Sequence, residues 1–169
     1  MRESENICVS CGLCCDGTLI GFVQLDSDEL SVLREVKQIE EVDGTGFFLQ
    51  PCANLGCDGC TIYAQRPRNC DRFKCEMLKL VESKELGFDS AVELLNVVTQ
   101  KKKVIEKQLS TLPFKLKSQS FYFKVMELNK LWRNDKKYES SLSQKQEEIL
   151  SDLDEFNTLV SNTFGISFY

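Results

Sequence analysis

Between Cys8 and Cys15 the chain reads CVSCGLCC, so four of eight residues carry sulfur and the last two are adjacent. In a Cys-x-x-Cys loop the chain turns between the two thiols. Both sulfurs can then address one metal while backbone N–H groups support the thiolates. Two such units overlap here, Cys8 with Cys11 and Cys11 with Cys14. Five further cysteines follow at positions 52, 57, 60, 70 and 75, and Cys57 with Cys60 forms a third unit of the same spacing. The adjacent pair poses a geometric question. On an extended backbone neighbouring side chains diverge, so Cys14 and Cys15 are expected to face different centres, or one of them the interior. Gly12 and Gly17 flank the group and permit the tight turns it needs.

The rest of the composition narrows the chemistry. The 169 residues include nine cysteines and no histidine. That removes imidazole ligands and the Ser-His and Cys-His nucleophile pairs. Thiolate must carry any metal, with carboxylate, backbone or water as the other donors. A lone cysteine is usually a small buried hydrophobe, but nine at clustered spacings are not. A disulfide scaffold suits an exported chain, whereas MRESENIC lacks the apolar stretch of a signal peptide and the cysteine count is odd. The expected location is the reducing cytoplasm, where disulfides rarely persist. A thiol–disulfide relay lacks its usual βαβ setting.

Soft thiolate sites suit zinc, iron–sulfur clusters and copper(I). The C-x2-C-x2-C run resembles the first three ligands of a ferredoxin-type cluster, which continues to a fourth cysteine and proline; here Cys15, Asp16 and Gly17 follow instead. Cys70 and Cys75 flank an expected helix start, where the dipole lowers a thiol pKa. Arg66, Arg68 and Arg72 share that stretch. They either offset thiolate charge and donate to sulfur or are surface charges.

The elements that must position these residues divide at Cys75. Up to that point there are 12 acidic and 7 basic residues, and beyond it 14 of each, so the whole net charge of −5 lies with the cysteines. That balance argues against a nucleic-acid footprint, and Lys101–Lys103 reads as a solvated helix face. No apolar run is long enough to span a membrane. LIGFVQL reads as a strand, and SDELSVLREVKQIE as a helix with Leu30, Leu33, Val36 and Ile39 on one side. DGTGFFLQPC and GCTIYAQ read as two strands joined by the Gly56–Gly59 loop. RPRNCDRFKCEMLKLVES starts on proline and continues as one helix. Beyond it, three apolar stripes predict helices: Leu94, Leu95, Val98, Ile105 and Leu109; Phe121, Val125, Leu128 and Trp132; and Leu142, Ile149, Leu153, Phe156 and Val160. These stripes form a core, or they bind a partner helix.

In that order, CVSCGLCC followed by PCANLGCDGCTIYAQRPRNCDRFKC resembles the YkgJ-type cysteine-cluster family, whose domain takes its name from CxxCxxCC and is described as zinc- or iron-chelating. The resemblance covers roughly residues 7 to 98. It rests on Cys8, Cys11, Cys14 and Cys15, then Cys60 with Ile62 and Tyr63, then Arg66, Pro67 and Cys70, then Phe73 and Cys75; Cys52 also fits. Cys57 is extra, and Asp71 stands where the family often has arginine. A similar motif occurs in flagellin lysine N-methylases, where an iron–sulfur centre is implied. This chain is shorter and lacks a Gly-rich segment marking a methyl-donor pocket.

These readings combine into an α+β, mostly α chain. An irregular cysteine-rich domain with short strands, residues 1–80, precedes a helical extension, residues 81–169, packed on it. The expected ligands are Cys8, Cys11, Cys14, Cys15, Cys52, Cys60, Cys70 and Cys75. One division gives Cys8, Cys11 and Cys14 to a first centre and Cys15 with some of the later four to a second. The expected cofactor is an iron–sulfur cluster ahead of zinc. The function is metal binding. The alternatives are an iron–sulfur-dependent redox or protein-methylating enzyme and a metal chaperone or thiol redox sensor. The expected partner is the metal ion or cluster, with no nucleic acid or membrane, and a protein partner through the helical extension.

Overall fold

The computed structural model describes residues 6–34, 38–132 and 143–169. The chain is α+β and mostly α, and it divides into two compact units, Met1–Lys74 and Cys75–Tyr169.

The first unit begins with α1, Ile7–Cys11, capped by the Asn6 side chain, which accepts from the Cys8 N–H. Three strands follow: β1 (Phe22–Gln24), β2 (Glu40–Val42) and β3 (Thr45–Leu49), in the antiparallel order β1-β3-β2. The β2–β3 hairpin closes through Asp43 and Gly44, both at positive φ (51° and 76°). This is the Asp-Gly pattern whose twist matches two paired strands. The hairpin explains why the expected long helix is short. A 3-10 turn at Ser27–Glu29 runs into α2, Leu30–Leu33, which Arg34 caps by donating to the Leu30 carbonyl. Val36 lies outside the described residues. Ile39 is not helical; it leads into β2 and packs on a small cluster of Val23, Leu25, Leu33 and Phe48. Val23 and Phe48 are register partners on the inner face of the sheet.

The second pair of strands also departs from expectation. β3 pairs with β1 and β2, not with the GCTIYAQ segment. That segment contributes only β5, Gly59–Cys60, which forms a two-stranded hairpin with β4, Leu55–Gly56. Tyr63–Gln65 turn as a 3-10 helix instead of extending the strand. Next comes α3, Arg68–Arg72, tied to β1 by Asn69 Nδ2 donating to the Gln24 carbonyl at 2.8 Å. The expected single helix is broken at Phe73, whose backbone is extended (φ −71°, ψ 121°).

The second unit starts at Cys75, the N-cap of α4, Glu76–Glu82. It continues with α5 (Phe88–Leu109), α6 (Phe121–Trp132) and α7 (Gln144–Phe164). The apolar stripes form its core. Ala91, Leu95, Val98, Ile105 and Leu109 of α5 are buried, as are Val125, Leu128 and Trp132 of α6 and Ile149, Leu153, Phe156 and Val160 of α7. Leu94 is the exception at 37% exposed: it sits one residue off the stripe that Ala91, Leu95 and Val98 define. Leu142 lies outside the described residues. α5 and α4 both pack on α7, and Phe121 meets Phe156 edge-on with ring centroids 5.4 Å apart. Gly165 ends α7 in the left-handed conformation (φ 68°), its N–H donating to the Ser161 carbonyl. Among the described residues no helix is long and apolar enough to cross a membrane.

Candidate metal centre

The adjacent pair sits on a wound backbone, not an extended one. Gly12, at φ 63°, stops α1 after five residues. The chain then turns through Leu13–Gly17: the Asp16 N–H donates to the Gly12 carbonyl at 2.9 Å and the Gly17 N–H to the Cys14 carbonyl at 3.3 Å. Leu13 anchors the turn from inside, and its carbonyl accepts from both Thr18 and Leu19 at 3.0 Å. The alternation that separates neighbouring side chains on a strand therefore does not apply to Cys14 and Cys15.

Cys15 ties the turn to the later cysteine segment. Its carbonyl accepts from the Cys52 N–H at 2.7 Å, which pins the QPC segment beside the turn. Its thiol is pushed from 9.0 up to about 12, first by burial and then by Cys52, Cys60, Cys70 and Cys8 around it. Burial disfavours the thiolate, and each neighbouring sulfur that ionises disfavours it further. Cys60 comes from β5 and Cys70 from α3. Cys52 and Cys70 also pack against the Val23 cluster. Cys11 and Cys14 are half-buried on the α1 segment and the turn that follows. Cys57 is exposed, between β4 and β5.

Cys75 belongs to the second unit. It does cap a helix, and backbone N–H groups around Leu78 and Met77 pull its pKa down, but burial outweighs them and the thiol is raised. The expected lowering at a helix start is thus reversed by desolvation.

The three arginines are engaged with carboxylates. Arg66 stacks over the Tyr63 ring, 3.8 Å from its centroid, donates to the Tyr63 carbonyl at 2.8 Å, and pairs with Asp71. Arg68 pairs with Asp28 and lies 3.5 Å from Asp26 and 3.4 Å from Glu29. Its hydrogen bond holds the Asp28 carboxyl below its usual range. Arg72 lies 3.6 Å from Asp26. Asp71 is thus the anion that Arg66 meets.

Three residues outside the expected ligand set shape the site. Asn6 Nδ2 donates to the Tyr63 hydroxyl at 2.6 Å, across 57 positions of sequence. Gly59, at φ 102°, lets β5 approach α1 so closely that a Cβ there would lie 2.8 Å from the Val9 carbonyl oxygen. Tyr63 is the last residue of the Cys-x-Ile-Tyr signal, whereas no helix is expected at Ile7–Cys11 from the sequence and Asn6 is not singled out by it. Nothing local in the sequence marks Gly59 for this contact.

Among the described residues, no three Cys, Asp or Glu side chains already stand around one point as ligands. The donor chemistry nevertheless fits a soft metal: five thiols share one electrostatic neighbourhood, in a chain without imidazole. A histidine-free thiol cluster on a small irregular unit is the class that this fold and site define. Residues 7–108 match the CxxCxxCC family, described as a "putative zinc- or iron-chelating domain", and the chain belongs to it. Neither the curated proteins nor the solved structures give a match.

Proposed function

We propose that the cysteine-bearing part of the chain, residues 1–80 by its sequence boundary, is a metal-holding module whose centre is built around Cys15. The observation that carries this reading is the partial burial of Cys15 within reach of Cys52, Cys60, Cys70 and Cys8: burial first, and then these thiols, raise its pKa to about 12. Thiols packed this way repel one another once ionised, and a bound cation is what reverses that repulsion. The zinc- or iron-chelating description of the family supports the same reading. Cys8, Cys15, Cys52, Cys60 and Cys70 are the first ligand candidates, with Cys11 and Cys14 of the same unit beside them.

The C-x2-C-x2-C spacing places an iron–sulfur cluster ahead of zinc. Bound here, a cluster supplies electron storage, and zinc supplies a cross-link between loops. The protein's own contribution is to present the sulfurs: Gly12 turns the chain between Cys11 and Cys14, and the Cys15 carbonyl holds Cys52 alongside. A reducing compartment keeps these thiols available. Anaerobic purification with metal and acid-labile sulfide analysis and a visible spectrum tests the reading. Iron with sulfide and a brown colour supports the cluster. Stoichiometric zinc in a colourless protein replaces the cluster with zinc. A protein that holds neither metal under these conditions sinks the proposal.

A further inference from the structure

The three-stranded sheet of the first unit is apolar on both faces. Its inner face, Val23 with Phe48, is covered by Leu30 and Leu33 of α2. Leu30 comes so near that a Cβ on Gly46 would lie 2.2 Å from its Cδ2. Side chains directly opposite one another on paired strands share a face, so the register sets out the other side. Phe22 stands opposite Leu49, Glu40 opposite Phe47, and Val42 opposite Thr45. The rings of Phe22 and Phe47 meet edge-on, centroids 6.0 Å apart, so β1 and β3 turn both to this outer side. There Phe22 is 50% exposed, Leu49 45% and Val42 58%. The solvated face of an antiparallel sheet is ordinarily polar, and neighbouring apolar side chains on a surface mark a contact site.

We infer that this outer face docks a short basic and apolar peptide segment of a partner protein. The segment lays leucine or aromatic side chains over Phe22, Leu49 and Val42, and sets a lysine or arginine against Glu40. Charge and area choose this occupant. Glu40 is exposed among the apolar side chains, and no basic side chain pairs with it among the described residues. Its neighbour Glu41 turns to the other face and is met by Arg34. Asp43 adds a second exposed carboxylate at the hairpin tip, and the whole net charge of −5 lies in this part of the chain. A basic segment is complementary to that surface. The strands are three to five residues long. At strand spacings of about 4.8 Å and a rise of about 3.3 Å per residue, the face offers on the order of 150 Å². A stable dimer takes roughly 800 Å² from each partner, and a second copy would set Glu40 against like charge. A short segment is what fits. The inference goes beyond the metal-holding function and does not rest on it.

The test uses the full chain, purified anaerobically. The probe is a short fluorescein-labelled synthetic peptide of leucine, phenylalanine and lysine, followed by fluorescence anisotropy at physiological salt. One comparison peptide replaces its lysines with glutamate, and another replaces its leucines and phenylalanines with serine. The probe should bind roughly tenfold more tightly than either. Phe22→Ser combined with Leu49→Ser should weaken it by roughly tenfold, and Glu40→Lys several-fold. Glu93→Lys, exposed on α5, changes the net charge by the same amount and should leave binding unchanged. In the wild-type protein the probe should slow hydrogen exchange over β1, β2 and β3, a readout that needs no variant to fold. Equal loss in Glu40→Lys and Glu93→Lys would reduce the interaction to net charge and overturn the inference. Wild-type protein that binds the three peptides alike, binds none, or shows exchange slowed only outside the sheet overturns it too. A dimer in sedimentation that the Phe22→Ser, Leu49→Ser pair dissociates gives the face to a second copy, and the peptide reading falls.

Discussion

Cys15 and Cys57 are both cysteines near a turn, yet their surroundings assign them opposite weight. Cys15 is partly desolvated and its thiol is raised further by Cys52, Cys60, Cys70 and Cys8, while Cys57 is exposed between two short strands. Cys15→Ser should remove at least half of the bound metal. Cys57→Ser should leave metal content within error of wild type. Metal analysis of both variants checks this, and equal loss in both would refute the contrast. The raised Cys15 pKa also has a sign for the metal-free protein. The folded state holds this proton up to about 12, whereas an unfolded thiol releases it near 9.0. The resulting stability is present in full below pH 9 and is lost as the pH rises toward about 12. Thermal unfolding of metal-free protein should therefore show a midpoint that falls above pH 9. The fall should be shallower in Cys15→Ser, and an identical slope in the two proteins would count against the burial of this thiol.

At the scale of elements, the close approach of α1 to β5 depends on Gly59. A methyl group there would lie 2.6 Å from Val9 Cγ1 and 2.8 Å from the Val9 carbonyl oxygen, at a φ of 102° that L side chains rarely adopt. The side-chain methyl can swing away, but the carbonyl cannot without moving the helix that carries Cys8. Gly59→Ala should cost about 1–3 kcal/mol of stability and lower metal content, as read by thermal unfolding and metal analysis together. Such contacts are what the sequence could not reveal. The helical stripes were legible, because one period of burial runs through α5, α6 and α7, and among the described residues only Leu94 falls off it. The cysteine-bearing segment follows no such period. Its strands are two to five residues long, and their pairing is set by turns. The Asp43–Gly44 turn draws Glu40–Val42 into the sheet and ends the expected helix early. The spacing of the cysteines pointed to metal chemistry. The wound backbone at Cys14–Cys15 and the carboxylate partners of Arg66, Arg68 and Arg72 came only with the tertiary structure.

At the scale of the molecule, the two units hold themselves together by different means. The unit Cys75–Tyr169 has a helical core that includes Trp132, Phe156, Phe164, Leu128 and Ile149, all nearly inaccessible. Burying each such side chain contributes roughly 1.5–3 kcal/mol. Among its described residues the unit Met1–Lys74 buries seven hydrophobic side chains, Ile7, Leu13, Leu19, Val23, Leu25, Leu33 and Phe48, and it carries all of the net charge of −5. Small domains with so little apolar burial usually depend on a metal or cross-link, and metal affinity then adds directly to folding stability. Removing the metal with a chelator under reducing conditions should therefore loosen one unit and spare the other. Hydrogen exchange measured by mass spectrometry should quicken at least tenfold over peptides from β1 to β5, while α5, α6 and α7 keep their protection. Circular dichroism at 222 nm should fall only slightly, since most of the helix lies in the second unit. Uniform loss of protection across both units would mean that they fold as one. Unchanged exchange in the first unit would mean that its small core suffices without metal.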